Sequence, residues 1–240
     1  MDTPNISAQI NSVAFKATVV VIVLGIVSLF LPLGAPGATQ EEAAEWLIND
    51  LTAYMAGWIV QIILMFCTTT IFVGAAWQIY STNPLRSILL WSLTSVSFIA
   101  FSITKFIAVW SVPLSARSLA AGSETRDSAE AFLLATNPSV PFALAPTLDF
   151  LGFLIYGVMG IILFRPLLRL STSAKVAAVS LFVYGIVVCL ILGVAVTAII
   201  SQGEIWEYVD SSTFIFVVAV VALLFRFKSQ INSASSPANR

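Results

Sequence analysis

The chain has 240 residues, of which 59 % are hydrophobic and only 10 % charged, with 11 Lys and Arg against 12 Asp and Glu. A soluble domain devotes roughly 25 % of its residues to charge, so this composition excludes a water-soluble globule, and a net charge of −1 leaves no basic excess for nucleic acid. Histidine is absent, which removes His-ligated haem, most zinc sites and every imidazole general base.

A spanning helix needs ~20 mostly apolar residues. Six segments meet that length in chain order: residues 17–33, 54–80, 87–112, 144–164, 176–200 and 211–225. Each is bounded by charge, Pro or Gly, as helix ends are. Trp58, Trp77, Tyr80, Trp110, Trp206 and Tyr208 fall near the expected interfaces. The expected fold is all-α, a polytopic transmembrane bundle of six spans forming one domain over residues 1–228. A Ser- and Asn-rich tail, residues 229–240, is expected to be disordered. The first span has Lys16 before it and residues 34–38 after it, which also suits a signal peptide. Its apolar run exceeds a usual signal core, and Pro36 sits badly for an A-x-A site, so retention is expected. Cys67 and Cys189 lie in apolar segments without a CxxC spacing and read as small buried residues.

Charge sets the orientation. Lys16, Arg86, Arg165, Arg169, Lys175, Arg226, Lys228 and Arg240 fall on one side of the alternating connections. Glu41, Glu42, Glu45, Asp50, Glu204 and Glu207 fall on the other, where the third connection mixes Arg117 and Arg126 with Glu124, Asp127 and Glu130. This alternation predicts both termini inside, in a bacterial inner (plasma) membrane crossed several times. Two outer segments read as ordered. Thr39 with Glu42 fits a capping box. Beyond it, Ala44, Leu47, Ile48, Leu51 and Met55 share one helical face, which predicts an amphipathic helix on the outer surface running into the second span. A shorter helix is expected over residues 127–136, stopped by Asn137-Pro138.

Ionisable residues inside a bilayer are functional suspects. Lys105 lies roughly 28 Å above Arg86 along the third span, while Asp149 and Asp210 each lie roughly 24 Å above the arginine ending their own spans, at 1.5 Å per residue. The three therefore fall at similar depth near the outer boundary. A Lys105–Asp149 or Lys105–Asp210 pair fits this geometry. So does a snorkelling Lys105 with both Asp side chains capping helix N-termini. Ser87, Thr94, Ser95, Ser102 and Lys105 fall within about 100° on a helical wheel. Such a stripe lines a hydrated path or supplies interhelical hydrogen bonds, and Gln61 with Thr68, Thr69 and Thr70 on the second span suits either role. Gly152, Gly157, Gly160, Gly185 and Gly193 allow close helix approach without a strict GxxxG, and Pro146 suits a first helical turn. No sequence repeat is visible, although three spans plus three would permit an inverted pair.

GxSxG, P-loop, HExxH and Rossmann fingerprints are all missing. Two stretches do resemble a known layout. One is Gly57-Trp58-Ile59-Val60-Gln61-Ile62-Ile63 through Gln78-Ile79-Tyr80 and the Asn83-Pro84-Leu85-Arg86 turn. The other is Phe153-Leu154-Ile155-Tyr156-Gly157-Val158-Met159-Gly160 followed by Phe164-Arg165-Pro166-Leu167. Together they cover about half the chain and resemble bacterial six-helix membrane proteins of the domain-of-unknown-function 4386 type. That resemblance implies a six-span bundle and brings no activity with it. A His often found near the start of the fourth helix in such proteins is replaced in that region by Asp149. The sequence thus predicts a non-enzymatic membrane protein without cofactor or metal. It binds or passes a small molecule or ion along a polar path of Lys105, Asp149, Asp210, Ser95, Ser102, Thr94 and Gln61, or else it supports a larger membrane complex. An enzyme acting at the outer face, with Asp149, Asp210 and Glu207 convergent, is the third expectation. The expected partners are the lipid bilayer and a membrane protein or second copy of this chain.

Overall fold

A computed structural model describes residues 6–34, 40–137, 143–197 and 202–235. Within them the secondary structure is helical throughout: α1 (Ile6–Ser28), α2 (Gln40–Asn49), α3 (Leu51–Tyr80), α4 (Pro84–Phe106), a π-helical turn (Ile107–Ser111), α5 (Val112–Ala120), α6 (Arg126–Thr136), α7 (Leu144–Leu168), α8 (Thr172–Val196) and α9 (Gln202–Ser235). Six of these segments are long and apolar enough to cross a bilayer: Ile6–Ser28, Leu51–Tyr80, Pro84–Ala120, Leu144–Leu168, Thr172–Val196 and Glu207–Ser233. The fold is therefore a six-span helical bundle of an integral membrane protein.

The spans form a closed circuit. Each packs on the next span in the chain, α1 on α3, α3 on α4, α4 on α7, α7 on α8 and α8 on α9, and α9 returns to α1. Direct backbone contact across the circuit is sparse, so side chains fill its middle. Phe72 stacks on Tyr156 with ring centroids 4.5 Å apart, Phe216 lies 6.0 Å from Phe72, and Tyr184 lies 5.3 Å from Phe216. Met159, Leu163, Leu181, Val188 and Leu223 complete this apolar centre. Where helices meet most closely the sequence supplies glycine. A Cβ at Gly160 would run into the main-chain oxygen of Leu181, and Gly157 faces Gly185 backbone to backbone. Small residues let α7 and α8 approach until dispersion holds them, since apolar burial gives no preference between helix and lipid. Gly193, by contrast, has open space beside it and takes no part in this approach.

Several boundaries differ from the sequence expectation. α1 begins at Ile6, not at residue 17, because Lys16 lies exposed on the helix flank while Asn11 faces inward and is buried. The third span continues past residue 112 through the π turn into α5, and the fifth ends at Val196, short of residue 200. α9 begins before residue 211 and runs to Ser235, so residues 229–235 are helical and not disordered. A helix already nucleated in the bilayer adds one hydrogen bond for each residue fixed, which carries polar residues along. Residues 236–240 of the expected tail and Thr39 of the expected capping box lie outside the described residues.

The apolar face of α2 packs on protein. Ala44 and Leu47 of α2 are buried with Ala116 and Leu119 of α5, Ala129 and Leu133 of α6, and Tyr54, Trp58 and Ala108, forming a second core over one end of the bundle. The Arg126 guanidinium pairs with the Glu41 carboxylate and ties α6 to α2. This three-helix cap presents Glu41, Glu42, Glu45, Asp50, Glu124, Asp127 and Glu130 as exposed carboxylates, against exposed Arg117 and Arg126.

Candidate functional site

The site is built where the cap core meets the membrane core. Lys105 is the penultimate residue of α4, two before the π turn begins at Ile107, and Asp149 sits in the second turn of α7. The Lys105 ammonium donates to both carboxylate oxygens of Asp149, at 2.8 and 3.0 Å. The side chains are only 9 % and 16 % exposed, so Lys105 does not snorkel to the surface. Its Nζ also lies 5.2 Å from the Trp58 ring centroid and 5.3 Å from that of Phe101, both within the range of cation–π attraction. Trp58 belongs to the cap core and Phe101 to the bundle core, so one ammonium group touches both.

The π turn beside this pair has a local cause. Val112 N–H donates to Ile107 O in the i→i+5 pattern. In that register residue 113 would donate to Ala108 O, but Pro113 has no N–H. The Tyr54 hydroxyl takes its place, donating to Ala108 O at 3.0 Å. Tyr54 in turn packs edge-on to Trp58. The α2–α3 corner, the π turn and the ion pair are thus one connected structure.

The remaining predicted residues do not converge on it. Asp210 is exposed within α9, whose early start places it past the first turn, so it neither caps the helix nor reaches Lys105. Nor does Asp149 cap α7, whose N-cap residue is Ala143. Glu207 is exposed on α9 as well. The hydroxyl stripe of α4 divides. Ser87 donates to Ala76 O at 2.6 Å and tethers α4 to α3. Thr94 donates to Leu90 O at 2.7 Å and lies against Met159 Sδ. Ser102 donates weakly to Met65 Sδ at 3.7 Å. Ser95 faces outward and bonds back to Trp91 O. Gln61 is half-buried on α3. Two grooves of about 510 and 520 Å³ flank the stripe between α3 and α4. Exposed Phe66, Ile99, Ile103 and Phe106 line them, which turns both toward lipid.

Sequence reasoning missed two positioning residues. Ser97 is fully buried and donates to Gly152 O at 3.1 Å, joining α4 to α7 below the ion pair. Tyr54 carried no signal beyond its aromatic character, although Pro113 after an apolar run does mark a helix that must find another donor. Deep in the centre, Tyr156 Oη and Thr69 Oγ1 are buried without a hydrogen-bond partner among the described residues. His, Cys, Asp and Glu side chains form no metal-binding group among the described residues. Comparison with protein-family models, curated proteins and solved structures returned no match.

Proposed function

We propose that this protein is a non-catalytic assembly subunit of a membrane complex, a rigid six-span pedestal that presents an acidic cap to a basic partner. The observation that carries the reading is the fate of the α4 hydroxyls. Ser87 and Ser97 donate to main-chain carbonyls of α3 and α7, which is how polar side chains fasten helices. Thr94 is satisfied within α4 by Leu90 O, so none of the three is left to hold water. The Lys105–Asp149 pair then acts as a structural rivet, with its charges neutralised and roofed by the cap. In this reading the cap lies on the outer side and both chain ends lie inside, as the separation of Glu and Asp from Lys and Arg suggests. Kinship with the six-helix family named above is also proposed, and it adds no activity.

Impermeant thiol labelling tests the dry bundle. In a Cys67→Ala, Cys189→Ala background, Glu45→Cys on the cap should label from outside, whereas Ser95→Cys and Ser102→Cys should not. Labelling of Ser102→Cys followed by Ser95→Cys would trace a water-filled path and replace this reading with transport. A photo-crosslinker at Glu130 should then give one discrete adduct in native membranes, with none at Arg86. Failure to form any adduct at Glu130 or Glu45 would remove the partner from the proposal.

A further inference from the structure

The end of the bundle opposite the cap carries charge of one sign. Arg86, Arg165, Arg169, Lys175 and Lys228 are exposed there, and among the described residues every carboxylate lies toward the cap end. Arg226 differs from these neighbours because it is half-buried. Its guanidinium is held from several sides. Nε donates to Gln78 Oε1 of α3 at 3.0 Å, and Nη1 reaches Ser171 Oγ in the α7–α8 turn at 3.4 Å. Gln78 is itself oriented by a bond from its Nε2 to buried Asn11 of α1. With its amide oxygen turned inward, Gln230 accepts from Nη1 and Nη2 at 2.9 and 3.2 Å.

Each of these partners is neutral. They fix the orientation of the guanidinium without compensating its charge, and among the described residues every charged side chain at this end has the same sign. A partly desolvated cation among like charges requires an anion. At the boundary of a bilayer the available anion is a phospholipid phosphate, for which a planar, pre-oriented guanidinium has the better geometry than a mobile lysine. We propose that Arg226, framed by Gln78, Ser171 and Gln230, is a binding site for the phosphate of an anionic phospholipid, and that the exposed Lys and Arg around it only enrich such lipids nearby.

The test uses the full chain in nanodiscs of equal phosphatidylglycerol and phosphatidylcholine, with retained lipid read by native mass spectrometry. Wild type should retain phosphatidylglycerol preferentially. Arg226→Gln should lower that preference more than tenfold, the scale of a lost charge-assisted hydrogen bond. Arg169→Gln and Lys228→Gln should each lower it no more than about fivefold, the scale of one ordinary interfacial basic residue. Equal losses from all three variants, or an unchanged preference in Arg226→Gln, would overturn the site. Should Arg226→Gln fail to fold, wild type alone decides by hydrogen exchange. Residues 169–173 and 225–230 should be slower in phosphatidylglycerol than in pure phosphatidylcholine, and identical exchange would refute the proposal. Slowing by 10 mM inorganic phosphate in phosphatidylcholine to the same extent would make this a soluble-anion site and also overturn it. Retention of more phosphatidylglycerol by Asp2→Asn than by wild type would mean that this carboxylate, outside the described residues, is the counter-anion of Arg226, and would also overturn the proposal.

Discussion

Asp149→Asn strips the counter-charge from an ammonium group whose side chain is 9 % exposed. Both Asp149 oxygens accept from Lys105, so the substitution removes the neutralising charge and leaves a cation between the Trp58 and Phe101 rings. Breaking a buried pair from one side costs about 3–5 kcal/mol, whereas replacing both members with apolar residues of similar volume is often neutral or better. The expectation is therefore about 3 kcal/mol lost in Asp149→Asn and in Lys105→Met separately. Lys105→Met with Asp149→Leu together should fall within about 1 kcal/mol of wild type. Reversible unfolding in mixed lipid–detergent micelles, followed by tryptophan fluorescence, measures all three, and Trp58 sits beside the change. Two single variants that each lose under about 1 kcal/mol, and whose losses add in the double, would refute the reasoning. The pair would then behave as an exposed one does.

Other positions give sharper local outcomes. Tyr54→Phe leaves Ala108 O without a donor and should cost about 1–3 kcal/mol, with faster hydrogen exchange over residues 107–112. Gly160→Ala drives a methyl group into Leu181 O and should cost about 1–3 kcal/mol by separating α7 from α8, read as a lowered midpoint in the same titration. Tyr156→Phe deletes a buried hydroxyl that has no partner among the described residues. Its stability should hold or rise slightly, and a loss above about 1 kcal/mol would mean that the hydroxyl bonds Thr69 or Ser97, directly or through a buried water. Arg126→Ala removes an ion pair whose side chains are 47 % and 71 % exposed and should change stability by less than about 1 kcal/mol.

The six spans were legible because hydropathy and length are local properties of the chain. The opposing charge of the two ends was legible for the same reason. Lys105 and Asp149 could be placed at similar depth from helical rise alone, but rise fixes height and not direction around a helix. The same argument therefore offered Asp210 equally, and only the order of helices around the circuit separates the two. The hydroxyl stripe failed as a path for a related cause. A helical wheel groups Ser95 with Thr94, yet α3 and α7 divide the face between them, turning Thr94 inward and Ser95 toward lipid. The π turn shifts every residue after it around the axis, so a wheel drawn for α4 no longer holds in α5. Arg226 read as an end marker because its partners Gln78 and Ser171 lie on distant parts of the chain.

The circuit of spans has a consequence for how the protein is made. Five of its six seams join segments that leave the ribosome in succession, but the seam between α1 and α9 joins the first span to the last. Until α9 is synthesised, Gly74 of α3 and Ala14 of α1 lack the Phe227 ring that will later pack at Gly74. The nascent chain is an open arc with a free edge, whose Asn11–Gln78 bond still awaits Arg226. Insertion thus has a waiting step, and a chaperone or a second copy of the chain could occupy that edge. Truncations before α9 should be recognised as unfinished and degraded sooner than truncations that retain it.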